Sequence, residues 1–257
     1  MTIRMRTRIE PKKLRLAAIS LLALALLGCA TVPPSERNPR DPWQRMNRAT
    51  YRFDLGFYKR ILIPVVTNYV RVTPHPIQAG VHNFVGNLFY PTVIVNALLQ
   101  GKVLPFARDL GRLVVNTTVG IGGLFDPASR LGLTPEDRDF GQTFGKWGVP
   151  MGPYLVLPFL GPSDVRDALG LVPDYTVASP LDYGHYPGQL AIRLGVDGLD
   201  VLNTGVELLP ELQLDLKAYD PYGFARNAYL QERAFMVKGA KAENGPEEEL
   251  KELQQGP

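Results

Sequence analysis

Few residues of this 257-residue chain are placed to make or break bonds. Its three histidines, His75, His82 and His185, have no serine or carboxylate partner at local spacing. There is no Gly-x-Ser-x-Gly elbow to expose an activated serine and no His-Glu-x-x-His to hold a zinc-bound water. Asp139-Phe140-Gly141 matches a kinase tripeptide, but no glycine-rich loop, strand lysine or His-Arg-Asp element accompanies it, so it reads as coincidence. Gly120-Ile121-Gly122-Gly123 has the composition of a phosphate cradle at a helix start. Without a following Lys-Ser/Thr it reads instead as the turn that ends a helix. A single cysteine excludes a disulfide framework and a Cys-cluster zinc site, and neither metal nor cofactor is expected. Arg108 and Arg112 stand one helical turn apart with Asp109 between them. They read first as a solvated polar face, with a bridging phosphate headgroup as the alternative. Asp164-Val165-Arg166-Asp167 reads first as a helix start, its acids favourable in the first turn, with a headgroup or gating role as the alternative. No enzyme is expected from this inventory.

The cysteine itself has a distinctive position. Residues 16–28, LAAISLLALALLG, form a charge-free run of 13 behind a basic stretch. That run is short of the ~20 residues a bilayer core requires, and it has the length of a signal-peptide apolar region. It ends in Leu26-Leu27-Gly28-Cys29, which resembles the bacterial lipobox, where cleavage leaves an acylated cysteine as the new N-terminus. Cys29 is therefore the expected lipidation site. At ~0.8 kcal/mol per buried methylene one acyl chain anchors marginally, whereas several hold firmly. Ala30 stands where an Asp commonly retains such lipoproteins in the inner membrane, which points to the outer one. The expected organisation is a leader at 1–28, an acylated tether at 29–41, a folded part at 42–237 and a solvated, mobile acidic tail at 238–257.

The leader also accounts for the charge. It holds six of the 28 basic residues and one of the 25 acids, leaving 22 basic against 24 acidic side chains in the remainder. The overall +3 becomes −2 beyond residue 28, and nucleic-acid binding loses its electrostatic basis. Gly and Pro together number 48, about 19% against roughly 12% in average usage, which works against long uninterrupted helices.

The elements that must position the polar residues follow from hydropathy. Residues 72–101 contain no Asp, Glu, Lys or Arg, nor do 113–125 and 147–163. Pro74, Pro76, Asn83, Asn87, Pro91 and Asn96 interrupt the first run, so no simple spanning helix is expected. Ile77, Val81, Phe84 and Leu88 fall within about 40° of one another at 100° per residue, with Asn83 and Asn87 roughly 120° away. Phe106, Leu110, Leu113 and Thr117 cluster likewise, opposite Arg108, Asp109, Arg112 and Asn116. The patterns predict amphipathic helices at 76–88 and 103–118. Further helices are predicted at 42–59 with Asp41 as N-cap, and at 91–100, 163–171, 187–208 and 220–237. Strand signals are weak; LVLPFL at 155–160 is the best, and Pro158 demotes it. The Gly- and Pro-rich segment 141–162 reads as a buried connector or part of a channel wall.

Several blocks now carry a resemblance. Asp41-Pro42 with Met46-Asn47-Arg48, HNFVGNLFYPTVIVNALLQGK (82–102) and ARDLGRLVVNTTVGIGGLFDPAS (107–129) resemble the MlaA (VacJ) family of outer-membrane lipoproteins. So do DFGQTFGKWGVPMGPYLVLPFLGPSDVRDALG (139–170) and DPYGFARNAYLQERAFMV (220–237). The resemblance implies a mainly α-helical, ring-shaped bundle of short amphipathic helices lying in one membrane leaflet around a central amphipathic channel. It implies removal of mislocalised phospholipids from the outer leaflet and their transfer to a periplasmic lipid-carrier protein of the Mla pathway, with a trimeric porin as further partner. The implied location is the outer membrane, lipid-anchored on the periplasmic side and embedded in the inner leaflet. The expected lipid path is Asn83, Asn87, Arg108, Arg112 and Asn116, with Gly120, Gly122 and Gly123 as a hinge. The rival expectation is a structural, porin-associated lipoprotein with no conduit; a periplasmic phospholipase is a second rival.

Overall fold

A computed structural model of the chain describes residues 38–177 and 187–238. The leader, Cys29, most of the tether and the acidic tail lie outside the described residues, as does part of the stretch before the 187–208 helix. The fold is mainly helical, with one small antiparallel hairpin.

Helix α1 (Gln44–Phe57) runs through a π-helical turn at Tyr58–Leu62 into α2 (Ile63–Val72). Asp41 does not act as the expected N-cap. Its carboxylate accepts instead from Asn47 Nδ2 at 2.9 Å, from the Tyr222 hydroxyl and from Arg226. The helices predicted at 76–88 and 91–100 are one, α3 (His75–Leu99), with Pro91 inside it. Proline deletes a single N–H from the ladder and costs about 3 kcal/mol. Buried Val85, Tyr90, Ile94 and Ala97 on both sides of it supply the contacts that offset this. Helix α4 (Val103–Thr118) has the predicted bounds, and a short α5 (Pro127–Arg130) follows, capped by Asp126.

Asp139 caps α6 (Phe140–Lys146), its side chain accepting from Gln142 N. Strands β1 (Tyr154–Leu157) and β2 (Gly161–Asp164) pair antiparallel, Tyr154 opposite Asp164 and Leu157 opposite Gly161. Pro158 lies in the turn between them, where no ladder N–H is required, so the apolar run forms a true strand after all. Phe159 in that turn has φ 68°, held by Asp54, which accepts from its N–H, and by Tyr58, which donates to its carbonyl. Helix α7 (Val165–Val177) follows, then α8 (Gln189–Asp215) and α9 (Pro221–Lys238). Gly205 lets α8 lie against α2: a Cβ there would sit 2.6 Å from Val66 Cγ2.

The apolar core is small and aromatic. Tyr51, Tyr154, Val156, Tyr222 and Ala225 bury one another, with Tyr222 edge-on to both other tyrosines. Asn47 welds α1 to the hairpin: its Nδ2 donates to Tyr154 O and its Oδ1 accepts from Val156 N. A fully buried amide is tolerable only with such partners.

Candidate functional site: a polar spine inside an apolar shell

The amphipathic pattern of α4 determines its orientation. Asp109, Arg112 and Asn116 fall on one face at spacings of three and four and are buried, whereas Leu110 and Val114 opposite them are exposed. The face that reads as solvated is thus turned inward. A buried charge must be paired and hydrogen-bonded or it destabilises the fold by several kcal/mol, and every one of these is. Asp109, 1% exposed, accepts from the Tyr90 hydroxyl of α3 at 2.8 Å and pairs with Arg138 at 2.5 Å. Burial and this carboxylate push the Tyr90 hydroxyl well above its ordinary pKa.

Arg112 donates through Nη1 to Ser129 Oγ and Leu133 O, and through Nη2 to Asp126. Asn116 donates to Asp126 Oδ1 at 3.0 Å and accepts from Ala128 N. Burial would raise the Asp126 pKa, but hydrogen bonds from Ser129, Arg112 and Asn116 win and hold it down at about 2. Arg112 and Asn116 therefore lock the 126–133 loop onto α4.

The remaining expected path residues lie around the end of α4. Asn83 donates to Leu124 O at 3.4 Å and Asn87 to Thr117 Oγ1 at 3.1 Å. These two asparagines of α3 thus face the turn that contains Gly120, Gly122 and Gly123. Gly123, at φ 90°, presses on Asn87, whose Cβ would lie 2.4 Å from an added Cβ. Gly120 would meet Asn116 O at 2.3 Å. Gly122, at φ 68°, faces open space. The turn is hydrogen-bonded, Gly123 N donating to Asn116 O and Phe125 N to Gly120 O. Arg108 stands apart and exposed on the outer side of α4. Cys29 lies outside the described residues.

The sequence reading missed a second polar knot. Asp139 receives both Nη atoms of Arg233, at 2.6 and 2.9 Å. Arg233 Nε and Arg166 contact Asp167, which also accepts from Tyr229 at 2.6 Å. Burial would raise the Asp167 pKa, but Arg233 and Tyr229 outweigh it and hold the group ionised. Asp164 accepts from Asp167 N at the start of α7. Gly141 is required here, since a Cβ would lie 2.3 Å from Asp167 Oδ1. The Asp139-Phe140-Gly141 tripeptide is therefore a cap, a buried ring and a close approach. Its long-range partner in α9 left no local signal. Tyr90, by contrast, lies three residues beyond Asn87 on the same stripe, and that spacing does mark it. The other missed group is Asn96, which accepts from Thr143 Oγ1 at 2.5 Å and so ties α3 to α6.

Taken over the described residues, 14 polar or charged side chains are buried against 13 apolar ones, while 34 large apolar side chains are exposed. The exposed set runs over most of the elements, including Leu98 of α3, Val103 of α4, Leu190 and Leu194 of α8, Phe53 of α1 and Val172 of α7. Water-soluble folds do the reverse. No described helix is long and apolar enough to cross a membrane. Among the described residues no group of three or more His, Cys, Asp or Glu could hold a metal ion. The arrangement suits transfer of an amphiphile without bond making: polar groups fixed within, apolar contact available outside.

Residues 39–236 match the family described as MlaA lipoprotein. The intermembrane phospholipid transport system lipoprotein MlaA of Escherichia coli (strain K12) is 34% identical over 236 residues, 89% of this chain and 91% of its own length. The protein of the same name from Haemophilus influenzae is 31% identical over 244 residues, 91% and 96%. A chain solved in work on the structural basis for maintenance of bacterial outer membrane lipid asymmetry superposes with a TM-score of 0.66 at 32% identity. It covers 78% of this chain and all of its own.

Proposed function

The chain belongs to the MlaA lipoprotein family, and from that premise we propose that it takes mislocalised phospholipid from the outer leaflet of the outer membrane and passes it inward, maintaining lipid asymmetry. Its relatives are named for intermembrane phospholipid transport, and the similar solved structure concerns outer membrane lipid asymmetry. The observation that carries the mechanism is the inverted distribution of polarity among the described residues: more polar than apolar side chains buried, and large apolar side chains exposed over most of the helices.

In this reading the described helices, none of them long and apolar enough to span, lie within one leaflet with their apolar faces in the acyl chains. Cys29, acylated, anchors the chain through the 29–41 tether, and residues 42–237 form the leaflet-embedded ring. The polar interior then offers a headgroup a route that acyl chains alone cannot, because an unpaired charge in hydrocarbon is costly. Asn83 and Asn87, facing the Gly120–Gly123 turn, line that route, with Arg108 at its lip. Arg112 and Asn116 support it by fixing the 126–133 loop. No bond is made or broken; a periplasmic carrier accepts the lipid, and a trimeric porin holds the ring in place.

The test is complementation. In a strain lacking its own member of the family, the wild-type chain is expected to clear phospholipid from the outer leaflet and restore detergent resistance. Arg108→Glu with Asn87→Asp should clear it poorly at equal abundance. A lipidated, abundant wild-type chain that leaves the outer leaflet unchanged would refute the transport reading and favour a porin-associated structural lipoprotein.

A further inference from the structure

A cavity of about 410 Å³ opens between the loop after α6, the start of α7 and the last turns of α9. It is built from different elements than the Asn83–Asn87 stripe and the Gly120–Gly123 turn. Three arginines from separate parts of the chain line it, Arg40, Arg166 and Arg233, and Val149, Leu230 and Ala234 give it an apolar side. Arg233 is committed to Asp139 and Asp167. Arg166 donates through Nε to Asp167, and its Nη2 faces Asp167 at 2.8 Å and Asp164 at 3.7 Å as an ion pair without a hydrogen bond. Its Nη1 differs. It lies against Gly145 in the cavity wall, where an added Cβ would sit 2.9 Å from it, and no hydrogen bond is made by it among the described residues.

Arg166 is only 4% exposed. A guanidinium clamped on one edge by two carboxylates cannot turn its other edge away. Such a pre-set donor is half of an anion site, and charge-assisted hydrogen bonds to phosphate oxygens are the strong ones. Arg40, exposed on the same cavity, adds a second positive group. Glycine at 145 keeps the wall open: a side chain there would press on both Arg166 and Val237.

We propose that this cavity is a phosphate subsite for an amphiphile. It takes the phosphodiester of a phospholipid against Arg166 and Arg40, with the glycerol and first methylenes against Val149, Leu230 and Ala234. A free phosphate ion shares the charge but makes no use of the apolar side. The source of the ligand rests on the transport reading; the site itself rests on the cavity.

The experiment is native mass spectrometry of the full lipidated protein released from neutral detergent. The probes are phosphatidylethanolamine, a diacylglycerol of the same chains, and inorganic phosphate as competitor. One phosphatidylethanolamine should bind at least about tenfold tighter than the diacylglycerol, the worth of one or two charge-assisted hydrogen bonds. Arg166→Gln should abolish that binding event, but among the described residues it leaves Asp164 and Asp167 with Arg233 as their one cation and is expected to destabilise the fold. Arg40→Glu and Ala234→Phe leave the knot intact, and each should weaken the same event by about tenfold through lost charge or lost volume. Equal binding of diacylglycerol, unchanged binding in both variants, or inorganic phosphate binding as tightly as the lipid would each overturn the proposal. Clearance of outer-leaflet phospholipid is scored separately on the wild-type chain. Clearance together with unchanged binding in the variants removes the cavity alone, whereas binding without clearance supports the cavity and removes transport.

Discussion

The α3–α4 pair and the end of the molecule formed by α1, the hairpin and α9 solve opposite problems with the same residue types. At the hairpin end, tyrosine rings make the core around the buried and paired Asp41 and Asn47, and Arg45, Arg52 and Glu232 face outward beside exposed Phe53 and Phe224. In the α3–α4 pair charges share the core with Val85, Tyr90 and Ile94, through Asp109, Arg112 and the loop residue Arg138, and Val103, Leu110 and Val114 face outward. An aromatic core with paired polar groups is what water selects, whereas a charged core under apolar side chains leaves a surface that apolar surroundings favour over water. One chain therefore holds two kinds of core beneath a surface that carries exposed apolar side chains at both ends.

The largest effect that separates the two ends is the loss of a buried charge. Arg138→Ala strands Asp109, which is 1% exposed, and should cost about 3–5 kcal/mol in chemical denaturation. Replacing both by apolar residues of similar volume should recover most of that, because the desolvation of each charge is removed too. If the single variant unfolds at the wild-type midpoint, the polar spine is not what holds α3 to α4. The next effect appears only in a membrane. Val114→Asp, at an exposed position, should change stability in detergent-free solution by about 0.5 kcal/mol or less. In vesicle partitioning it should cost about 2.5–3.5 kcal/mol if the site is fully within hydrocarbon. Arg45→Asp, exposed at the hairpin end, is the control and should partition far less differently.

A pair of tyrosines sharpens the contrast at smaller scale. Tyr90 donates to Asp109, whereas the Tyr154 hydroxyl has no hydrogen-bond partner among the described residues although the residue is fully buried. Tyr90→Phe should therefore destabilise by about 1.5–3 kcal/mol, the worth of a hydrogen bond to a charged group. Tyr154→Phe should be neutral or stabilising, since it removes a hydroxyl that burial leaves unsatisfied. Equal losses at the two sites would erase the distinction between a polar core and an aromatic one.

Much of this contrast was legible in the sequence, but unevenly. The period of 3.6 in Phe106, Leu110 and Leu113 against Asp109, Arg112 and Asn116 placed α4 to the residue, because both faces contribute to the pattern. It did not say which face turns inward. Periodicity is blind to the surroundings, and the polar face was read as solvated where it is buried. Pro91 was given the weight of a helix end, and tertiary contacts from Val85 to Ala97 overrode it. The Asp139–Arg233 and Asp41–Arg226 pairs join residues 94 and 185 positions apart, and no local spacing encodes them. The asparagine stripe and the glycine turn were legible together, since each is locally unusual. That they face one another depends on the α3–α4 connection.

The smallest effect is a difference in sign between two carboxyl groups. Burial, with Asp139 and Asp137 close by, pushes Asp174 up to about 7 even though it accepts from Phe140 N. Its unfolded value is about 3.9, so between roughly pH 4 and pH 7 the folded chain binds more protons there, and stability falls as pH rises. Asp126 behaves oppositely: held at about 2, it contributes stability above about pH 4 that is lost as pH falls toward 2. Asp174→Asn keeps an oxygen for Phe140 N while removing the charge. It should raise the melting midpoint by about 2–4 °C at pH 8, an effect limited by the group's partial exposure, and leave it nearly unchanged at pH 4. Asp126→Asn should lower the midpoint at pH 8 and lose its effect near pH 2. Differential scanning calorimetry of both variants across this range decides the matter. Parallel pH profiles would mean that burial and paired hydrogen bonds act alike on the two carboxyls, and that neither the Asp174 nor the Asp126 surroundings are as described.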